Sequence, residues 1–157
     1  MNMLFEWEDY SAEYADITEG LLDDEAIRNT GCDEGFSAFY SYWLNEADTK
    51  LNENFWCKLA FMDNELIGVV CLGLSPIKEF TVMEIIVSKS KRNRGYGSAM
   101  LLNLLKNATV IIGIEINIAK AVIFPNNIAS QRSFEKAGFV YTDSHPDGDA
   151  WYYEYRK

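Results

Sequence analysis

Between Lys89 and Arg94 four of six residues are cations, and the chain then runs Gly95-Tyr96-Gly97-Ser98 into an apolar stretch. Just upstream, in FTVMEIIV (Phe80–Val87), one carboxylate, Glu84, stands among apolar neighbours. Cations and glycines ahead of a helix suit an anion. The first helical turn offers unpaired N–H groups and partial positive charge, and glycine lets a phosphate approach the backbone. A carboxylate in apolar surroundings keeps its proton to higher pH, which suits a general base near neutrality. In an alternating strand Glu84 shares a face with Phe80, Val82 and Ile86. The loop is not a Walker sequence, and Met100 stands where a dinucleotide fingerprint needs its third glycine. On spacing alone a basic turn facing solvent remains the alternative.

The elements that must position these groups follow from periodicity. FTVMEIIV predicts a buried strand that delivers the chain to the basic loop. Met100, Leu101, Leu104, Leu105 and Ala108 recur at helical spacing, so a helix begins within the glycine motif. INIAKAVIF predicts a strand stopped by Pro125, and NIASQRSFEKAG a helix capped by Asn127 and ended by Gly138. FVYTD and AWYYEYR close the chain as a strand pair. Toward the amino terminus, SAEYADITEGLLDDEAIRNTG predicts two short helices ending near Gly31, and EGFSAFYSYWLNEAD a third. Phe36, Phe39, Tyr40 and Trp43 form an aromatic stripe on that third helix, read as core. FWCKLAFMDNELIGVVCLGL predicts a hairpin turning at Asp63-Asn64. The order helices, hairpin, strand, helix, strand, helix, hairpin predicts an α/β (α+β) sheet protein with one parallel crossover.

The 157 residues, 48% apolar and 24% charged, fit one domain over 1–157 with a single core. No repeat or linker divides it. The acidic start MNMLFEWEDY shows no signal peptide, no apolar run reaches membrane length, and three unpaired cysteines (Cys32, Cys57, Cys71) fit a cytoplasmic location. Net charge is −10, yet residues 1–66 carry sixteen acids and three bases, whereas residues 67–157 carry eight acids and eleven bases. Such an amino-terminal half disfavours nucleic acid and anionic membrane as partners, and favours a cationic one.

RNRGYG (Arg92–Gly97) resembles the Arg/Gln-x-x-Gly-x-Gly/Ala acetyl-CoA loop of the GCN5-related N-acetyltransferase (GNAT) family. NIASQRSFEKAGF (Asn127–Phe139) is similar to that family's second signature, Asn-x-x-Ser-x-x-x-Tyr/Phe-Glu-Lys-x-Gly-Phe. Each follows a strand, in the expected order, and with FTVMEIIV the likeness covers about two thirds of the chain, from Phe55 onward.

The resemblance implies a single GNAT-like domain with a mostly antiparallel sheet and helices on both faces. That sheet splays between Met83–Val87 and Lys120–Phe124. Pantetheine would pair with Ile85, Ile86 and Val87 as an added strand. The pyrophosphate of acetyl-CoA would sit on the amides of Asn93, Arg94, Gly95, Tyr96, Gly97 and Ser98. Arg92 fills the motif's first position, and Lys89, Lys91 and Arg94 would meet outer phosphates. Asn127, Ser130 and the ring of Phe134 match positions beside pantetheine and thioester.

Two departures matter. Many relatives have Tyr at Phe134 as acid for the leaving thiolate, which leaves Tyr141, Tyr96 or water as donor. Some place a base where this chain has Val122, which favours Glu84. The candidate catalytic pair is thus Glu84 and Tyr141. His145, the only histidine, lies in the polar loop before the last strand, as a surface residue or as an acceptor contact or proton-transfer group. Tyr40, Trp43, Glu46 and Asp48 are candidates for an acceptor wall beside core or solvent roles.

The expected activity is transfer of an acetyl group from acetyl-CoA, in a ternary complex without a metal, to a primary amine. The acceptor is a cationic small molecule or a peptide amino terminus. An acyl-CoA-binding sensor without turnover is the competing class, and a homodimer is left open.

Overall fold

The computed structural model describes residues 4–48 and 55–157. Its centre is a sheet of strands β1 (Glu6–Asp9), β2 (Phe55–Met62), β3 (Glu65–Leu74), β4 (Phe80–Val87), β5 (Ile118–Ile123), β6 (Val140–Ser144) and β7 (Trp151–Arg156). They lie in the order β1-β2-β3-β4-β5-β7-β6. Every neighbouring pair is antiparallel except β4 and β5. The crossover between those two carries helices α4 (Tyr96–Lys106) and α5 (Ala108–Ile111). The remaining helices are α1 (Ala15–Glu19), α2 (Asp24–Thr30), α3 (Phe36–Asp48) and α6 (Ile128–Lys136). Among the described residues no helix is long and apolar enough to cross a membrane.

Local chemistry explains the boundaries. Asp63 and Asn64 both adopt left-handed backbone, with φ of 51° and 65°, so the β2–β3 hairpin turns with the twist its strands require. Asp23 caps α2 by accepting the Ala26 N–H at 3.0 Å, and Gly31 ends it at φ 74°. Asn127 caps α6 in the same way through the Ser130 N–H. β1 has no counterpart among the expected elements. It is a four-residue edge strand, mostly exposed, held by pairing with β2 and by the Trp7 indole, which donates to Asn103 Oδ1 of α4 at 2.8 Å.

Two cores sandwich the sheet. On one face Val70, Leu72, Phe80, Val82, Ala121 and Phe134 pack with Met100, Leu101, Leu104 and Leu105 of α4. On the other, Cys57, Leu59, Val69, Cys71 and Ile86 pack with Leu21, Ala26 and Phe36 under α1 to α3. The cysteines are all buried and free. From the aromatic stripe, Phe36 is fully buried, and Phe39 and Tyr40 are partly so. Tyr40 packs tilted against Tyr10, ring centroids 4.5 Å apart, at the margin of the second core. The side chains of Trp43, Glu46 and Asp48 lie outside the described residues.

Two irregularities in β4 shape the cleft beside it. The register passes from Val82 opposite Leu72 to Glu84 opposite Cys71, so Met83 is an extra, bulged residue. This corrects the alternation read from sequence. Phe80 and Val82 face the α4 core, whereas Ile86 faces the other, and Glu84 goes with Ile86. Secondly, β5 pairs with β4 only along Phe80–Val82. From Met83 to Val87 that edge of β4 has no partner strand among the described residues, which is the expected splay.

Gly68 marks the tightest point of the β3–β4 ladder. A Cβ there would run into the Ile86 carbonyl oxygen and come 2.8 Å from the Met100 side chain. Gly68→Ala is therefore expected to cost about 3 kcal/mol and lower Tm by roughly 10 °C in a calorimetric melt. An unchanged Tm would show that β4 is not packed as described.

Candidate active site

The open edge of β4 forms one side of a cleft of about 390 Å³, which Ile85, Ile86 and Val87 line. The loop from Lys91 to Ser98 closes its end, α6 faces β4 across it through Asn127, Ser130, Arg132, Ser133 and Lys136, and α2 completes it through Glu25, Ala26, Asn29 and Thr30.

The backbone of the loop has a shape that suits an anion. Asn93 and Gly95 take left-handed backbone, with φ of 61° and 83°. Alternating left-handed residues turn successive N–H groups toward one side, a concavity that suits phosphate oxygens. The first helical bond of α4 runs from the Ala99 N–H to the Gly95 carbonyl, so the amides of Tyr96, Gly97 and Ser98 have no intrahelical acceptor. Gly97 also lets α4 meet α6, since a Cβ there would lie 2.9 Å from Ser133 Oγ. These groups fit a pyrophosphate with an extended arm along β4.

The loop cations divide in a way the sequence did not show. Arg92 is engaged internally: Nη1 and Nη2 donate to both carboxylate oxygens of Asp23 at 2.7 and 2.9 Å, Nη1 reaches Glu25 at 3.1 Å, and Nε donates to the Val87 carbonyl at 3.0 Å. Lys91 lies 3.5 Å from Glu65 and over the ring of Tyr96. Arg94 does not line the cleft, whereas Lys91, Arg92, Asn93, Gly95, Tyr96, Gly97 and Ser98 do. The cations that sequence reasoning missed are Arg132 and Lys136, one helical turn apart on α6 and both in the cleft wall. Their i, i+4 spacing within the second motif was the available signal.

Glu84 stands where this cleft meets a second cavity. That cavity, about 340 Å³, is lined by Gly31 to Gly35, Ala38, Phe39 and Tyr42, and among the described residues shares Thr30 and Glu84 with the first. Asp33 and Glu34 give it acidic character. Among the described residues nothing hydrogen-bonds or ion-pairs with Glu84, and burial pushes its carboxyl from 4.5 up to about 8. The pKa is that of a base poised for neutral or mildly alkaline pH. Cys32 also lines the second cavity, with burial pushing its thiol up to about 11, so it serves there as an apolar surface.

Three expected participants are placed elsewhere. Tyr141 lies on β6, which β7 separates from β5, so it stands at the sheet's far edge. It packs edge-on against Trp151 and Tyr153 and lines neither cavity. Phe134 is 4% exposed, in T-shaped contact with Phe139, and sits beneath the cleft wall instead of in it. His145 lies in the β6–β7 loop between Asp147 and Asp149, away from both cavities. Among the described residues the phenol that lines the cleft is Tyr96.

Solved structures with this architecture are numerous. An aminoglycoside acetyltransferase, AAC(6')-Ib, in complex with paromomycin and acetyl-CoA superposes with a TM-score of 0.74 at 18% identity, covering 98% of this chain and 93% of the other. The GNAT domain of S. lividans PAT gives 0.73 at 19% identity, covering 98% and 90%. A spermidine N-acetyltransferase chimera from Vibrio cholerae SpeG and hSSAT gives 0.72 at 13% identity, covering 97% and 95%. No curated protein matches the chain in sequence. At such identities the superpositions speak for the fold. The sequence profile of the acetyltransferase (GNAT) family matches residues 7–139, most of the chain and both motifs up to Phe139. The chain belongs to the acetyltransferase (GNAT) family, whose members take their acetyl group from acetyl-CoA.

Proposed function

We propose that the protein transfers an acetyl group directly from acetyl-CoA to a primary amine carried by a cationic small molecule or a peptide amino terminus. The observation that carries this reading is the place of Glu84: a carboxylate without a partner among the described residues, at the junction of a cleft suited to CoA and an acidic second cavity. Acetyl-CoA supplies an activated thioester. The chain supplies position and proton transfer.

The amides of Asn93 to Ser98, with Arg132 and Lys136, hold the phosphates, and the open edge of β4 holds the arm. Asp33 and Glu34 draw a cationic acceptor into the second cavity. There Glu84 removes a proton from its ammonium, directly or through a water, so that a neutral nitrogen can attack. A departing thiolate takes its proton from Tyr96 or water, because Phe134 has no hydroxyl and Tyr141 is out of reach. The solved relatives bound to aminoglycosides or named for spermidine support an amine acceptor, though each name belongs to that protein alone.

Thiol release from acetyl-CoA over a panel of amines checks this. Turnover should be greatest with polyamines, aminoglycosides or free amino-terminal peptides, and weakest with neutral or acidic amines. Preference for acidic acceptors would remove the charge argument. Tight CoA binding with no turnover on any amine would identify a sensor instead.

A further inference from the structure

We propose that Arg92 is a positioning residue that ties the wall of the second cavity to the phosphate loop through Asp23, and is not itself a phosphate ligand. This rests on the reading that the first cleft holds CoA. Arg92 is the motif residue expected at the cofactor, yet all three of its guanidinium nitrogens already have protein acceptors. Both partners are largely enclosed, with the Arg92 side chain 16% and that of Asp23 28% exposed. Swinging Arg92 onto a phosphate would break a two-pronged pair and leave Asp23 charged without its partner.

The same Asp23 carboxylate does a second job. Its Oδ1 accepts both the Ala26 N–H that starts α2 and a guanidinium proton. Arg92 in turn reaches back to the Val87 carbonyl, the last residue of β4, and its own backbone leads into the loop at Asn93. One side chain thus joins the end of β4, the start of the phosphate loop and the start of α2. Among the described residues its bonds to Asp23 and Glu25 are the only ion pairs between α2 with its cap and the rest of the chain.

What α2 positions is the acceptor side. Thr30, its last residue, lines both cavities, and the segment after it, Gly31 to Gly35, forms much of the second. CoA seated on the loop therefore steadies the acceptor wall through this two-pronged ion pair. The two sites are coupled in binding free energy.

The test uses full-length R92Q, D23N and the double variant, with R92K as the conservative control. Asn at position 23 keeps an oxygen for the Ala26 cap, so α2 can still form. Titration calorimetry with CoA measures affinity, and hydrogen exchange of amides 26–35 with and without CoA measures coupling. In the wild type, CoA should slow exchange of 26–35 as well as of the loop. In R92Q, D23N and the double variant that remote protection should vanish, while the Kd for CoA shifts by no more than about threefold and the double variant is no worse than either single. R92K should retain part of the protection.

A Kd raised about tenfold or more in R92Q but not in D23N would make Arg92 a phosphate ligand and overturn the proposal. Remote protection that persists in R92Q and D23N would overturn it as well. A wild-type protein that binds no CoA removes the underlying reading, and this inference with it.

Discussion

Glu84→Gln is expected to lower kcat about 100-fold or more while leaving the Kd for CoA within about twofold. Gln matches Glu in shape but cannot accept a proton, and among the described residues Glu84 is the one carboxylate that borders both cavities. Because burial raises its carboxyl to about 8, the base form is the minor one at pH 7, and kcat/KM should climb with pH until it levels above that value. In the Gln variant the limb attributable to Glu84 disappears.

Stability carries an independent signature with the opposite slope. Between the ordinary value of 4.5 and about 8, the folded protein holds a proton that the unfolded chain releases, so stability falls as pH rises through that window. Glu84→Gln removes this slope. It should melt above the parent at pH 8, with the gap narrowing toward pH 5. A variant with wild-type kcat and an unaltered pH profile would end the assignment of Glu84 as base.

The second large effect concerns the cations on α6. Reversing both Arg132 and Lys136 to Glu should raise the Kd for CoA at least about 150-fold at low salt. Each cation held against a phosphate contributes on the order of 1.5–3 kcal/mol, and the reversal adds repulsion in their place. Raising the salt should weaken wild-type binding and strengthen that of the variant, since screening damps attraction and repulsion alike. The variant should keep the parent's far-ultraviolet dichroism, because neither residue belongs to either core. Equal affinity in parent and variant would place the phosphates away from α6.

Much of the molecule is legible in the chain because it is local. The Asp63-Asn64 turn, the Asn127 cap, the Gly31 and Gly138 stops and the helix after Gly95 each follow from residue types within a few positions. What escapes is non-local. β1 is too short and too acidic to announce itself, and it exists because β2 offers an edge and Asn103 a partner for Trp7. The bulge at Met83 inserts one residue, which moves Glu84 to the opposite face from Phe80 and Val82. No periodicity read from β4 alone contains that.

The distribution of charge around Arg92 is hidden for a related reason. Its partner Asp23 lies 69 residues away, and only the folded chain reveals that the motif's arginine is already occupied. Tyr141 falls outside the site because β7 inserts between β5 and β6, an order that adjacency in sequence does not suggest.

Everything proposed for the chemistry depends on CoA entering at the unpaired edge of β4 and the loop after it, with its sulfur end directed toward Glu84. Crystals of the protein grown with CoA would reveal this at once. Pyrophosphate density is expected on the amides of Asn93 to Ser98, with pantetheine bonded to the backbone of Ile85 to Val87 and the thiol opening toward the cavity that Glu84 shares. Pantetheine outside the gap between β4 and β5, or a thiol directed away from Glu84, would refute that placement.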